Sequence, residues 1–66
     1  MRIEVNGQGV ELAEPTSVGQ LLAEMAVRAD YVAVEVNAEL VPRSSRDSVQ
    51  LAEGDRVEIV TLVGGG

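Results

Sequence analysis

The sequence contains no cysteine and no histidine. The first absence removes disulfides and thiolate nucleophiles, the second removes imidazole bases, and together they leave no usual zinc site. Phenylalanine and tryptophan are also missing, and Tyr31 is the one aromatic residue. Any core must therefore be aliphatic, which suffices, since a buried Leu or Val contributes about 1.5–3 kcal/mol. Lysine is absent as well: the five bases are Arg2, Arg28, Arg43, Arg46 and Arg56. Eleven acids oppose them, for a net charge of −6. That balance argues against a nucleic-acid partner, because such binding neutralises phosphates with clustered cations. It suits solubility, or attraction to basic surfaces on other proteins. No apolar run approaches the ~20 residues that cross a bilayer. The opening Met1-Arg2-Ile3-Glu4-Val5 reads as a strand rather than a signal segment. With no disulfides in so small a chain, the expected location is the cytoplasm.

What is present is one domain's worth of chain, residues 1–66, with 45% hydrophobic residues. A domain of this size buries only about 60% of its unfolded surface. Arg2-Ile3-Glu4-Val5 alternates with period two, as a half-buried strand does. Asn6-Gly7 then supplies a strong hairpin signal, because both residues accept φ > 0, and Val10-Glu11-Leu12 alternates again. Ser17 and Gln20 have the spacing of a capping box. Val18, Leu21, Leu22 and Met25 follow at i, i+3, i+4 and i+7, which predicts a helix over Ser17–Val27 with that stripe on a sheet. Tyr31 to Asn37 is rich in β-branched residues and predicts a strand. Asn37-Ala38-Glu39 reads as a turn, and Leu40-Val41-Pro42 as a short edge strand ended by proline. Arg43 to Ser48 is polar and irregular, with Val49 and Leu51 tucked beneath it. Glu53-Gly54-Asp55 forms a tight turn, and Arg56 to Val63 is the last strand. A hairpin, a helix crossing to a third strand, a short strand and a final strand make an α+β arrangement of β-grasp type. It has a mixed sheet of four to five strands and one main helix.

Gly64-Gly65-Gly66 closes the sequence directly after that apolar strand. At ordinary glycine frequency, three in a row at a chain end is expected about once in three thousand. A plain terminal tail is one reading. The other is chemical: a segment without side chains is narrow enough to enter a partner's buried site. Its reactive group is then the α-carboxylate of Gly66. A carboxylate resists nucleophiles until one oxygen becomes a good leaving group, as in an acyl-adenylate made from ATP. A sulfur nucleophile displacing AMP would leave a thiocarboxylate, and no side chain need take part.

Four segments carry a resemblance over essentially the whole chain: Val34-Glu35-Val36-Asn37, Leu40-Val41-Pro42-Arg43, Glu53-Gly54-Asp55-Arg56-Val57-Glu58-Ile59-Val60, and Val63-Gly64-Gly65-Gly66. They resemble the ThiS family of ubiquitin-like sulfur carriers in thiamin biosynthesis. The resemblance implies that an E1-like adenylyltransferase of ThiF type, using ATP and magnesium, activates Gly66. A donor such as a cysteine desulfurase then supplies sulfur, and a thiazole synthase of ThiG type receives it. It also implies that Gly65 is the penultimate glycine of the tail and Gly64 a spacer. On this reading the chain binds no cofactor or metal itself, is not an enzyme but a protein co-substrate, and is a monomer when free.

Two alternatives share the fold. One is the small subunit of molybdopterin synthase (MoaD type), whose chains tend to be longer and to carry aromatics before the glycines. The other is a ubiquitin-like modifier, although without lysine this chain cannot form lysine-linked chains on itself. Glu4, Glu11, Glu35 and Glu58 alternate with apolar residues and read as a solvated sheet face, not as an acid–base pair. If Val57 and Ile59 face the core, Val60 and Leu62 face the other side. With Val63 and Arg43 they then form a candidate docking surface beside the tail, unless the strand is buried on both faces.

Overall fold

A computed structural model of the chain describes residues 1–62. Strands β1 (Arg2–Val5) and β2 (Gln8–Glu11) precede helix α1 (Val18–Glu24). Strands β3 (Val32–Val36), β4 (Glu39–Leu40) and β5 (Arg56–Thr61) come after it, with 3-10 turns at Ala29–Tyr31 and Arg43–Ser45. The five strands form one mixed sheet in the order β2-β1-β5-β3-β4. The last strand lies at its centre, parallel to β1, and every other neighbouring pair is antiparallel. This is the β-grasp arrangement expected from the sequence, with the sheet at its full five strands.

Both hairpins turn through two residues in the left-handed region. Asn6 and Gly7 have φ of 51° and 83°, and Asn37 and Ala38 have 52° and 70°. Two successive positive φ values give the turn whose twist matches that of the flanking strands. The first pair is ideal for it. The second asks an alanine to take a conformation that favours glycine.

The capping box forms as read: the Gln20 amide donates to the Ser17 hydroxyl at 3.1 Å, and the Ser17 amide donates to the Gln20 side chain at 2.8 Å. Val18, Leu21 and Leu22 are buried. The helix is shorter than its periodicity predicts, however, ending at Glu24 rather than Val27. Ala26 turns left-handed at φ 57°. Its amide then donates to the Ala23 carbonyl, and the Val27 amide reaches back to the Leu22 carbonyl. This is a Schellman closure, and Val27 packs against the core beyond it. Met25, the predicted fourth member of the stripe, is 42% exposed because the helix stops there.

The core between α1 and the sheet is aliphatic among the described residues, built on Ile3, Leu21, Leu22, Val18, Val34 and Val57. Leu51 is buried and Val49 packs against the core, its amide donating to the Ser45 carbonyl at the end of the Arg43–Ser45 turn at 3.1 Å. The sole aromatic, Tyr31, stays half exposed and receives Arg28 over its ring at 4.7 Å.

Edge strand β4 is only two residues long and leaves part of β3 without a neighbour. The Val41 amide donates to the Val34 carbonyl, and two residues earlier on β3 a side chain takes over. Arg46, only 7% exposed, donates from its two terminal nitrogens to the carbonyl oxygens of Ala29 and Val32, at 2.9 and 2.8 Å. A buried carbonyl without a donor costs about 1–3 kcal/mol, so this arginine belongs to the frame and not to the surface. No helix among the described residues is long and apolar enough to cross a membrane.

Candidate functional site

The glycine run singled out in the sequence follows β5 in the chain, so the candidate site is built from that strand outward. Gly64, Gly65 and Gly66, together with Val63, lie outside the described residues. What the fold supplies is the base from which they leave. β5 is the central strand, bonded to β1 on one edge and β3 on the other. Its residues alternate between the helix side and the open side of the sheet. Val57 is buried and Ile59 packs against the core, whereas Val60 and Leu62 are 52% and 51% exposed. The strand is therefore buried on one face only.

Register identifies the neighbours of this exposed pair. Val60 faces Ala33 on β3, and Glu35 of β3 faces Leu40 on β4. Leu40 is 64% exposed. Three of the large exposed aliphatics, Leu40, Val60 and Leu62, thus share the open face of the sheet beside the point where the tail begins. Leu62 and Leu40 meet Arg43 in a shallow groove of about 370 Å³ that also takes in Ala33 and Pro42. Arg43 stands at its rim with its guanidinium 3.0 Å from Asp30. The structure thereby brings Arg43 to Leu62, while Val60 lies on the open sheet next to the groove and outside its lining. Sequence reasoning missed Leu40 and Ala33. Strand parity would have found them had the register of the β3–β4 turn been carried across to β5.

The rest of this face is charged. Glu35 and Glu58 are direct partners across β3 and β5, and Glu4 faces Arg56 across β1 and β5. Among the described residues the ion pairs are Arg2–Glu11 and Arg43–Asp30; Glu35 and Glu58 line a shallow surface hollow together with Arg56 but form no close ion pair. Like charges directly opposite on a sheet repel. A partner bringing a cation here would relieve that repulsion. Glu4, Glu11 and Glu58 are exposed and Glu35 half-buried, as a solvated face requires.

A second feature escaped sequence reasoning altogether. The Asn6 side chain reaches β5, accepting from the Ile59 amide at 2.8 Å and donating to the Ile59 carbonyl at 3.3 Å. On the opposite edge, the Asn37 side chain accepts from the Arg56 amide at 3.0 Å. The two turn asparagines clasp the strand from both sides. Contacts spanning 53 residues leave no local signal.

Comparison with known proteins places this geometry. The family model described as the ThiS family matches residues 2–66. The sulfur carrier protein ThiS of Bacillus subtilis is 34% identical over 65 residues, covering 97% of this chain and 98% of that protein. A thiazole synthase of Paramagnetospirillum magneticum is 41% identical over all 66 residues, but the chain spans only 20% of that protein's length. Among solved structures, the thiamine biosynthesis protein ThiS of Geobacter metallireducens superposes with a TM-score of 0.87 at 38% identity, each chain covered in full.

Proposed function

The chain belongs to the ThiS family, and from that premise we propose that it is a sulfur carrier of thiamin biosynthesis working through the carboxylate of Gly66. The observation that carries this reading is a glycine terminus at the end of the central strand of a fold that matches the family along its whole length.

The chemistry runs in two displacements. A Gly66 carboxylate oxygen attacks the α-phosphorus of ATP held with magnesium by an E1-like enzyme of ThiF type, and pyrophosphate leaves. A hydrosulfide-level nucleophile then attacks the acyl carbon. Where it comes from the persulfide of a cysteine desulfurase or similar donor, a thiol reductant supplies the two electrons that break the S–S bond and is itself oxidised to a disulfide. A C–S bond forms, the C–O bond to phosphate breaks, and AMP departs with that oxygen. The terminal thiocarboxylate is delivered to a thiazole synthase of ThiG type. The alignment of this chain with part of a thiazole synthase supports that acceptor over the molybdopterin branch. In both displacements the chain contributes only its terminal carboxyl, so it acts as a co-substrate and not as an enzyme. It works in the cytoplasm, as a monomer between encounters.

Docking uses the open sheet face. Val60, Leu62 and Leu40 supply exposed aliphatic area, Arg43 marks one rim, and the facing Glu35 and Glu58, in no close ion pair, favour a basic partner surface. Burial of such area favours association, less the ordering and desolvation that binding costs, and the acids add steering.

Pyrophosphate exchange tests the first displacement. With the activating enzyme present, labelled pyrophosphate should enter ATP only when the chain is added, and deletion of Gly66 should abolish the exchange. Exchange that survives the deletion would refute Gly66 as the activated group.

A further inference from the structure

In the parallel pairing of β1 with β5, the Glu4 amide donates to the Asp55 carbonyl and the Asn6 amide to the Val57 carbonyl, both at 2.9 Å. The next rung would satisfy Ile59, but the chain has already turned away at Gly7, where φ is 83°. The Asn6 carboxamide fills that rung. Its oxygen accepts from the Ile59 amide at 2.8 Å and its nitrogen donates to the Ile59 carbonyl at 3.3 Å, as a peptide unit of a longer β1 would. The turn alone does not require asparagine, because glycine and aspartate also suit its first position. Only the carboxamide offers both a donor and an acceptor from a side chain of this length.

The ladder alternates between the two edges of β5. Asn6 and Ile59 bond on the β1 side, and the Leu62 amide donates to the Tyr31 carbonyl at 2.6 Å on the β3 side. The backbone groups of Thr61 therefore point toward the β1 side, where β1 has ended. Among the described residues, β5 is held from both edges as far as Ile59 and from one edge as far as Leu62. Four residues remain beyond Leu62, and a fully extended chain of that length spans at most ~14 Å. If β5 released back to Ile59, three more residues would lengthen that reach by ~10 Å. The departure point of the tail relative to Val60, Leu62 and Leu40 would then be lost.

We propose that Asn6 is a positioning residue for the C-terminal carboxylate: its side chain completes the β1 edge of β5 at Ile59 and so steadies the β3-side pairing, as far as Leu62, from which the tail leaves the sheet. This role rests on the carrier reading of Gly66. A tail with a fixed origin presents Gly66 at a set distance from the docking face. One with a frayed origin must be ordered at each encounter, which weakens binding without altering chemistry.

The test compares the wild-type chain with Asn6→Gly and Asn6→Asp. Glycine removes the side chain while keeping the left-handed turn, and aspartate keeps the acceptor for the Ile59 amide. Amide hydrogen exchange on the free protein should speed up at Ile59 and Leu62 in Asn6→Gly by about fivefold or more, the factor for one ordinary hydrogen bond. Leu21 and Val34 should keep wild-type protection, and Asn6→Asp should fall between. In steady-state adenylation, well below the unfolding temperature, KM for Asn6→Gly should rise several-fold with kcat unchanged. A purely structural role would lower the melting temperature and leave KM alone. Unchanged exchange at Ile59, or faster exchange with an unchanged KM, would overturn the positioning role. A wild-type chain that the activating enzyme does not adenylate would instead overturn the carrier reading, and the positioning role with it, whatever the exchange rates.

Discussion

Ala26 holds a φ of 57°, a conformation in which an L-residue's Cβ crowds the following carbonyl oxygen at a cost of about 1–2 kcal/mol. The strain persists because the Schellman closure returns Val27 to the core behind Leu22. Glycine at this position would remove the crowding and lose part of the gain through its freer unfolded chain. Ala26→Gly is therefore expected to stabilise the protein by about 1 kcal/mol, raising the melting temperature by ~4–8 °C. The same change at Ala23, inside α1, should lower it by a similar amount. Calorimetric melting of both variants checks the pair, and a fall for Ala26→Gly would contradict the strain at this position. The residue also shows what single positions conceal. Alanine is the best of helix formers, so nothing local at Ala26 announces a stop, and the periodicity carries the predicted helix on to Val27. Arg43 and Arg46 look equally like surface residues in the sequence. Only the three-dimensional arrangement buries Arg46 on the carbonyls of Ala29 and Val32 and leaves Arg43 at a groove rim.

At the scale of elements, β5 does two jobs with its two faces. Val57 and Ile59 anchor it to the core, while Val60 and Leu62 stand on the open side. Leu62→Glu should therefore leave thermal unfolding within about 0.5 kcal/mol of wild type, as surface substitutions do. It should weaken binding to the activating enzyme by about tenfold, a loss of ~1.4 kcal/mol. A calorimetric titration with unchanged affinity would contradict a docking role for this face. The strands and first turn were legible because their signals are local: period two in β1, β3 and β5, and Asn6-Gly7 between β1 and β2. β2 begins at Gln8, two residues before its apolar alternation starts. Its pairing is set by the turn rather than by its own side chains. The capping box of α1 was legible as spacing, and its hydrogen bonds form as that spacing implies. The clasp of β5 by Asn6 and Asn37 was not. It depends on which strand lies between β1 and β3, and that is decided by topology alone.

For the molecule as a whole, a small aliphatic core holds a sheet whose central strand is also the last. That order puts Thr61, the last residue of β5, on the middle strand of the sheet and not on an edge strand. The Gly66 carboxylate is proposed from the sequence alone, from three consecutive glycines, and lies outside the described residues. The described residues add the base it departs from and the face beside it. The most direct test of the carrier function is intact mass spectrometry of the whole protein after incubation with a ThiF-type enzyme, ATP, magnesium and a sulfur donor. A carrier working through Gly66 should gain the mass of one oxygen replaced by sulfur, and the gain should be absent when Gly66 is deleted. An unmodified mass beside a demonstrably active enzyme and donor, or the same gain in the deletion variant, would contradict that function.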